Sequence, residues 1–145
     1  MTSIRHYSAA AGALAVLALM PPGAVQAQAP IPTRNSLGVI PVAPGRTVSR
    51  VETNRVDFLP GQAMPTHKHT VPVVCFISKG AFRVKIGDTP EHLADTGATT
   101  YEPPGVTVHY FKNASASAPA ELLCASLAGQ DDRELNVMLP AEPIP

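Results

Sequence analysis

Proline occupies sixteen of the 145 positions, and ten more are glycine. Each proline withdraws a backbone donor and breaks a helix interior, so a chain punctuated this often is built from short extended segments joined by turns. With no Trp, four Phe and three Tyr, it lacks the large side chains that fill a helical bundle. Hydrophobic residues make up 45% and charged residues 15%, which suits one packed domain rather than a charged, unstructured tail. Eleven basic side chains balance eleven acidic ones, and no run of Lys or Arg occurs. That balance excludes nucleic acid or an anionic membrane surface as the main partner.

The first 27 residues read as a secretory signal. Arg5 precedes an unbroken apolar run from Ala9 to Met20, and Pro21-Pro22-Gly23 then stops it. The run is shorter than the roughly 20 residues that span a bilayer. Val25-Gln26-Ala27 offers the small residues that a signal peptidase accepts, so cleavage is expected after Ala27. The mature chain is then periplasmic or secreted, with no membrane partner once the signal is removed. Residues 28–46 form a proline-rich arm, 47–130 the folded domain and 131–145 a tail. Export also allows Cys75 and Cys124 to pair, with two buried thiols as the alternative. No CxxC occurs, so neither a thioredoxin-like motif nor a zinc knuckle is on offer.

Within the domain, strand patterns follow one another. Thr47 to Leu59 suits one or two half-buried strands, and Val71 to Ser78 is a dense β-branched run. In Ala81 to Ile86, Phe82, Val84 and Ile86 alternate with Arg83 and Lys85, the period of a half-exposed strand. Val106 to Phe111 and Leu122 to Leu127 add two more, on either side of turn-forming residues. Gln130 to Leu139 fits either a strand or a helical turn. About seven short strands separated by turns imply an all-β closed barrel or sandwich.

Candidate chemistry concentrates in histidine. The mature chain has four: His67, His69, His92 and His109. In a strand, His67 and His69 project from one face about 6.6 Å apart, which lets both rings reach one ion at about 2.1 Å. His109 is the candidate third ligand, from another strand. His92, in a turn-rich stretch, reads as a solvated loop residue. A Gly-x-Ser-x-Gly elbow and a phosphate-cradling glycine loop are both absent from the sequence.

Gly61, His67, His69 and Gly80, at spacings of six, two and eleven, resemble the first motif of the cupin superfamily. Gly97, Pro103-Pro104-Gly105, His109 and Asn113 are similar to its second motif. The resemblance covers Val51 to Leu127 and is closest to small secreted single-domain cupins. It implies a double-stranded β-helix, or jelly-roll, barrel around a divalent metal ion. It maps the metal ligands to His67, His69 and His109. Two departures stand out. The family's carboxylate ligand falls at Val73 or Val74, so no carboxylate is expected in the shell. His109 also stands four residues after Gly105, with Val108 at the family's histidine position. A one-residue shift turns a side chain to the opposite face unless a bulge absorbs it.

Three imidazoles suit Fe, Zn, Mn, Ni or Cu and leave coordination positions open. By resemblance the leading activity is a metal-dependent, dioxygenase-like oxidation of a small organic molecule, with lyase or isomerase chemistry next. The competing reading is a non-catalytic periplasmic module that binds a small ligand or a metal. The resemblance also implies a homodimer paired through β-sheets. By the same resemblance the strands of Cys75 and Cys124 are neighbours in one sheet.

Overall fold

A computed structural model describes residues 33–42 and 47–140, so the signal-peptide segment and part of the proline-rich arm lie outside the described residues. The chain divides into two units, Met1–Arg34 and Asn35–Pro145, and the second carries the fold. Its ten strands are β1 (Arg50–Phe58), β2 (Ala63–Met64), β3 (His67–His69), β4 (Val73–Lys79), β5 (Ala81–Ile86), β6 (His92–Asp95), β7 (Thr99–Glu102), β8 (Thr107–Asn113), β9 (Ala120–Ala128) and β10 (Asn136–Met138). Among the described residues there is no helix, and none long and apolar enough to cross a membrane.

The strands form two antiparallel sheets, a double-stranded β-helix. One has the order β1-β9-β4-β7, the other β10-β3-β8-β5-β6 with β2 added on β8. Alternation along β5 buries Phe82, Val84 and Ile86 and turns Arg83 and Lys85 away from the core. Those residues meet Phe58, Ile77, Val108, Phe111 and Leu122 between the sheets. Phe58 and Phe82 pack edge to face at 4.9 Å. Burying each large side chain of this set contributes about 1.5–3 kcal/mol.

Three features depart from the sequence reading. The segment 131–145, read as a tail, contains β10, which pairs with β3 (Asn136↔His69, Met138↔His67). The open choice over Gln130 to Leu139 therefore resolves to a strand. His92 opens β6 rather than lying in a loop, although it is exposed. β2, β6 and β7 are too short or too polar to show a period in sequence.

The chain passes from one sheet to the other at Gly80, between β4 and β5. Gly80 has φ +80°, and a Cβ there would lie 2.8 Å from the Cβ of Ala120. Gly80→Ala is therefore expected to lose about 1–3 kcal/mol through backbone strain, with the contact adding to it. Denaturant unfolding measures this, and a loss below about 0.5 kcal/mol, the range of an ordinary surface substitution, would contradict the account.

Asn113 is 1% exposed, and its side chain is fully engaged with backbone. It donates to the carbonyls of Leu59 (3.0 Å) and Ala118 (2.8 Å) and accepts from the Ser115 amide (3.0 Å). Asn113-Ala114-Ser115 is thus a structural corner.

Candidate metal centre

β3 carries His67 and His69 with the intervening Lys68, and the two rings stand at right angles with centroids 5.0 Å apart. Each ring is fixed by a backbone carbonyl. His67 Nδ1 lies 2.7 Å from the Pro65 oxygen, and His69 Nδ1 lies 3.1 Å from the Leu135 oxygen, just before β10. A carbonyl only accepts, so Nδ1 carries the proton in both rings and donates it. Both Nε2 atoms are left as bare acceptors in the neutral rings.

Those acceptors face a third. Glu102 ends β7 with its side chain inward and 4% exposed. Its Oε2 lies 2.8 Å from His69 Nε2 and 3.5 Å from His67 Nε2. The same oxygen is buried without a hydrogen-bond partner of good geometry among the described residues. The shortness of these contacts and the missing hydrogen bond are consistent: acceptor lone pairs converge, and only a cation placed among them satisfies all three. The potential ligand atoms of His67, His69 and Glu102 all lie within 4.8 Å of one another. Two imidazoles and one carboxylate fit a divalent metal ion.

The corner after β7 sets this geometry. Pro103-Pro104-Gly105 turns the chain into β8, and the Gly105 amide donates to the His69 carbonyl at 2.7 Å. Gly105 has φ +75°, a conformation that glycine adopts without cost. The corner is thereby tied to β3, with Glu102 beside the histidines.

The expectation that His109 completes the shell is not what the structure brings together. The β5–β8 register passes from Lys85↔Tyr110 to Ile86↔Val108, so His109 is the extra residue of a bulge. The bulge falls after Val108, not before it. Val108 therefore keeps the inward position opposite His67 and is fully buried in the core. His109 is half-buried, and its carbonyl accepts from the Thr66 hydroxyl at 3.1 Å. The carboxylate expected to be missing is present, supplied by a different strand. Val73 lines the cavity at the family's position, and its partner across the ladder is Glu102. In sequence, Glu102 is an acid directly before a Pro-Pro-Gly corner; only its pairing with Val73 shows that it faces inward.

The three residues form part of the wall of a cavity of about 320 Å³. Phe58, Phe111 and Leu122 supply an apolar wall, while the exposed residues Glu52, Asn54 and Asn136 mark its opening. Cys75 and Cys124 are joined by a disulfide, which resolves the choice between bridge and thiols.

In the metal-free protein a proton takes the cation's part. Burial works against charge on His67, but Glu102 and the Pro65 carbonyl outweigh it and raise the pKa above 6.5. Burial likewise opposes charge on Glu102, yet the neighbouring His67 and His69 hold its pKa below 4.5. The sign of the pH dependence follows. Protonated His67 stabilises the metal-free fold below pH 6.5, and that contribution fades as pH rises through the raised value. Ionised Glu102 stabilises it above pH 4.5, and that contribution fades as pH falls through the lowered value. Metal-free protein should therefore melt highest in mild acid. Metal affinity should run the other way and begin to fall, on acidification, above pH 6.5. Calorimetric titration at pH 6 and pH 8 tests it; equal affinities would refute the assignment.

The family model of the cupin domain matches residues 54–126. Among solved structures, an oxalate oxidase in complex with the substrate analogue glycolate aligns at 23% identity and TM-score 0.54, over 61% of this chain and 46% of that one. Peruvianin-I, a cysteine peptidase from Thevetia peruviana latex, aligns at 13% identity and TM-score 0.55, over 63% and 57%. The DMSP lyase DddQ from Ruegeria pomeroyi DSS-3 aligns at 17% identity and TM-score 0.53, over 65% and 45%. The chain thus spans about half the length of these proteins, and at such identities the likeness is one of fold. No curated protein sequence matches. With the motif glycines at the sheet-crossing turns, the jelly-roll topology and the matched family model in agreement, the chain belongs to the cupin domain family.

Proposed function

We propose that this is an exported single-domain cupin that holds a divalent metal ion through His67, His69 and Glu102 and presents it to a small organic molecule in the adjoining cavity. The observation that carries the proposal is the convergence of the Nε2 atoms of His67 and His69 on the buried Oε2 of Glu102, with the potential ligand atoms of all three residues within 4.8 Å of one another. Two histidines and a carboxylate with open positions form the set that suits non-haem Fe(II) oxygenases, and also catalytic zinc. Bound there, the metal supplies Lewis acidity or oxygen chemistry. The chain's own residues do the rest. The Pro65 and Leu135 carbonyls fix the tautomers, and Phe58, Phe111 and Leu122 keep water from one side of the substrate. Fold alone does not choose the reaction, since an oxidase and a lyase share it. Of the reactions this ligand set allows, the reading preferred from the cupin resemblance is a dioxygenase-like oxidation of a small oxygen-donor molecule.

A non-catalytic metal- or ligand-binding module is the second reading. It is favoured by a cavity that, among the described residues, holds no buried acid or base beyond the three ligands. Export is supported by the apolar N-terminal run and by the disulfide, which an oxidising compartment sustains. Pairing of two copies through their sheets is part of the proposal, with sedimentation as its test.

The deciding experiment is metal analysis of the purified mature protein, with His67→Ala, His109→Ala and His92→Ala beside it. Only His67→Ala should lose the metal. If His109→Ala loses it too, the bulged histidine is a ligand after all. Oxygen uptake with a panel of phenols and enols by the Fe(II)-loaded protein then separates oxygenase from binding module.

A further inference from the structure

One rung of side chains crosses the inner face of the whole four-stranded sheet. Glu52 on β1 pairs with Ser126 on β9, Ser126 with Val73 on β4, and Val73 with Glu102 on β7. All four line the cavity. Glu102 stands at the metal end of the rung and Glu52 at the mouth, with Ser126 between them. Ser126 is 6% exposed, and among the described residues no hydrogen bond engages its hydroxyl. Of the buried polar side chains that line the cavity, among the described residues, it is the one outside the metal centre. A buried hydroxyl is costly to leave unpaired, so its partner has to come from what the cavity holds. The charges near the mouth, by contrast, are matched among themselves. Glu52 pairs with Arg50 at 2.8 Å, and Arg55 with Asp57 at 3.3 Å and Glu121 at 3.8 Å.

We propose that Ser126 anchors the end of the substrate remote from the metal, through a hydrogen bond to an uncharged oxygen group. The inference rests on the metal reading of His67, His69 and Glu102, and it names the class of molecule that site takes. Ser126 and Glu102 are two strands apart, about 10 Å across the sheet. A molecule that binds the metal through oxygen at one end and meets Ser126 at the other therefore has one ring, or a short chain, between its two polar ends. That apolar middle lies over Val73 and against the wall of Phe58, Phe111 and Leu122. A serine hydroxyl both donates and accepts, so it serves an alcohol, a carbonyl or an ester alike. A carboxylate is disfavoured at that end. The Arg50 and Arg55 guanidiniums are already taken by acids, and Glu52, opposite Ser126 in the ladder, repels a second negative charge. Ser126 takes no part in the chemistry at the metal. It determines which molecule is held, and a molecule held at both ends presents one fixed orientation to the centre.

Zinc-loaded protein is the form to use, because zinc has no redox chemistry and binding is read without turnover. Three catechols share the chelating end and differ at the other: methyl protocatechuate carries a neutral ester, protocatechuate a carboxylate and propylcatechol an alkyl chain. Each is titrated calorimetrically into wild type and Ser126→Ala. The substitution should weaken methyl protocatechuate about 3- to 10-fold, the worth of one neutral hydrogen bond, and leave propylcatechol within about 2-fold. Wild type should bind protocatechuate at least about 10-fold more weakly than its methyl ester. Zinc content of Ser126→Ala should match wild type. Equal losses for the ester and propylcatechol, or no loss for either, would reduce Ser126 to a wall residue and overturn the proposal. Protocatechuate binding as tightly as its ester would overturn it too, as would failure of all three catechols to bind zinc-loaded wild type. Wild-type protein that takes up no zinc would instead remove the metal reading itself. If Ser126→Ala does not fold, the wild-type preference for ester over acid decides.

Discussion

Glu102→Ala is expected to strip the metal from the protein while leaving it folded. Removing a residue that merely orients a ligand typically costs 10–100-fold in metal affinity, and losing a ligand should cost more, so the loss is put at about 100-fold or greater. Glu102→Gln separates charge from shape. It keeps the side-chain volume beside Cys75 and the histidines but withdraws the negative charge that raises the His67 pKa. The metal-free Glu102→Gln protein should therefore show His67 titrating lower than in wild type, which NMR follows directly. A Glu102→Gln protein that binds metal like wild type, or leaves the His67 titration where it was, would remove Glu102 from the centre.

The second large effect belongs to the disulfide. It closes a sequence separation of 49 residues. In the chain-entropy model a loop of that length contributes about 4 kcal/mol. For a domain of this size that corresponds to roughly 15 °C in Tm. Reduction, or Cys75→Ala with Cys124→Ala, should lower the melting temperature by about that much. Thiol counting on the denatured, unreduced protein provides the control, with no titratable thiol expected. A change of only a few degrees would mean that the packing of β4 on β9 already restricts the unfolded chain or that replacement relieves the native sheet.

The legible parts of this molecule are those governed by local periodicity. Phe82, Val84 and Ile86 reveal β5 without any partner, and the turn glycines with His67 and His69 identify the barrel. β10 was not legible, because three residues carry no period and it exists only by pairing with β3. The site was half legible for the same reason. His67 and His69 share a face whatever the register, since alternation alone places them. The third candidate ligand depends on pairing between distant strands. Whether the bulge falls before or after Val108 decides between His109 and Val108 at the inward position, and no local signal fixes it. Glu102 faces the histidines because it pairs with Val73, a relation between residues 29 positions apart.

The two histidines belong to the six-stranded sheet and Glu102 to the four-stranded one. An ion at this centre is therefore a rivet between the two leaves of the sandwich, set beside the covalent seam that joins β4 to β9 within one leaf. The width of the cavity and the occupancy of the centre become a single mechanical variable: whatever pries the leaves apart pulls a ligand off the ion, and whatever loads the ion draws the leaves together. Amides of β3 and β7 should then gain protection from hydrogen exchange in step when metal is added, although they lie in different sheets.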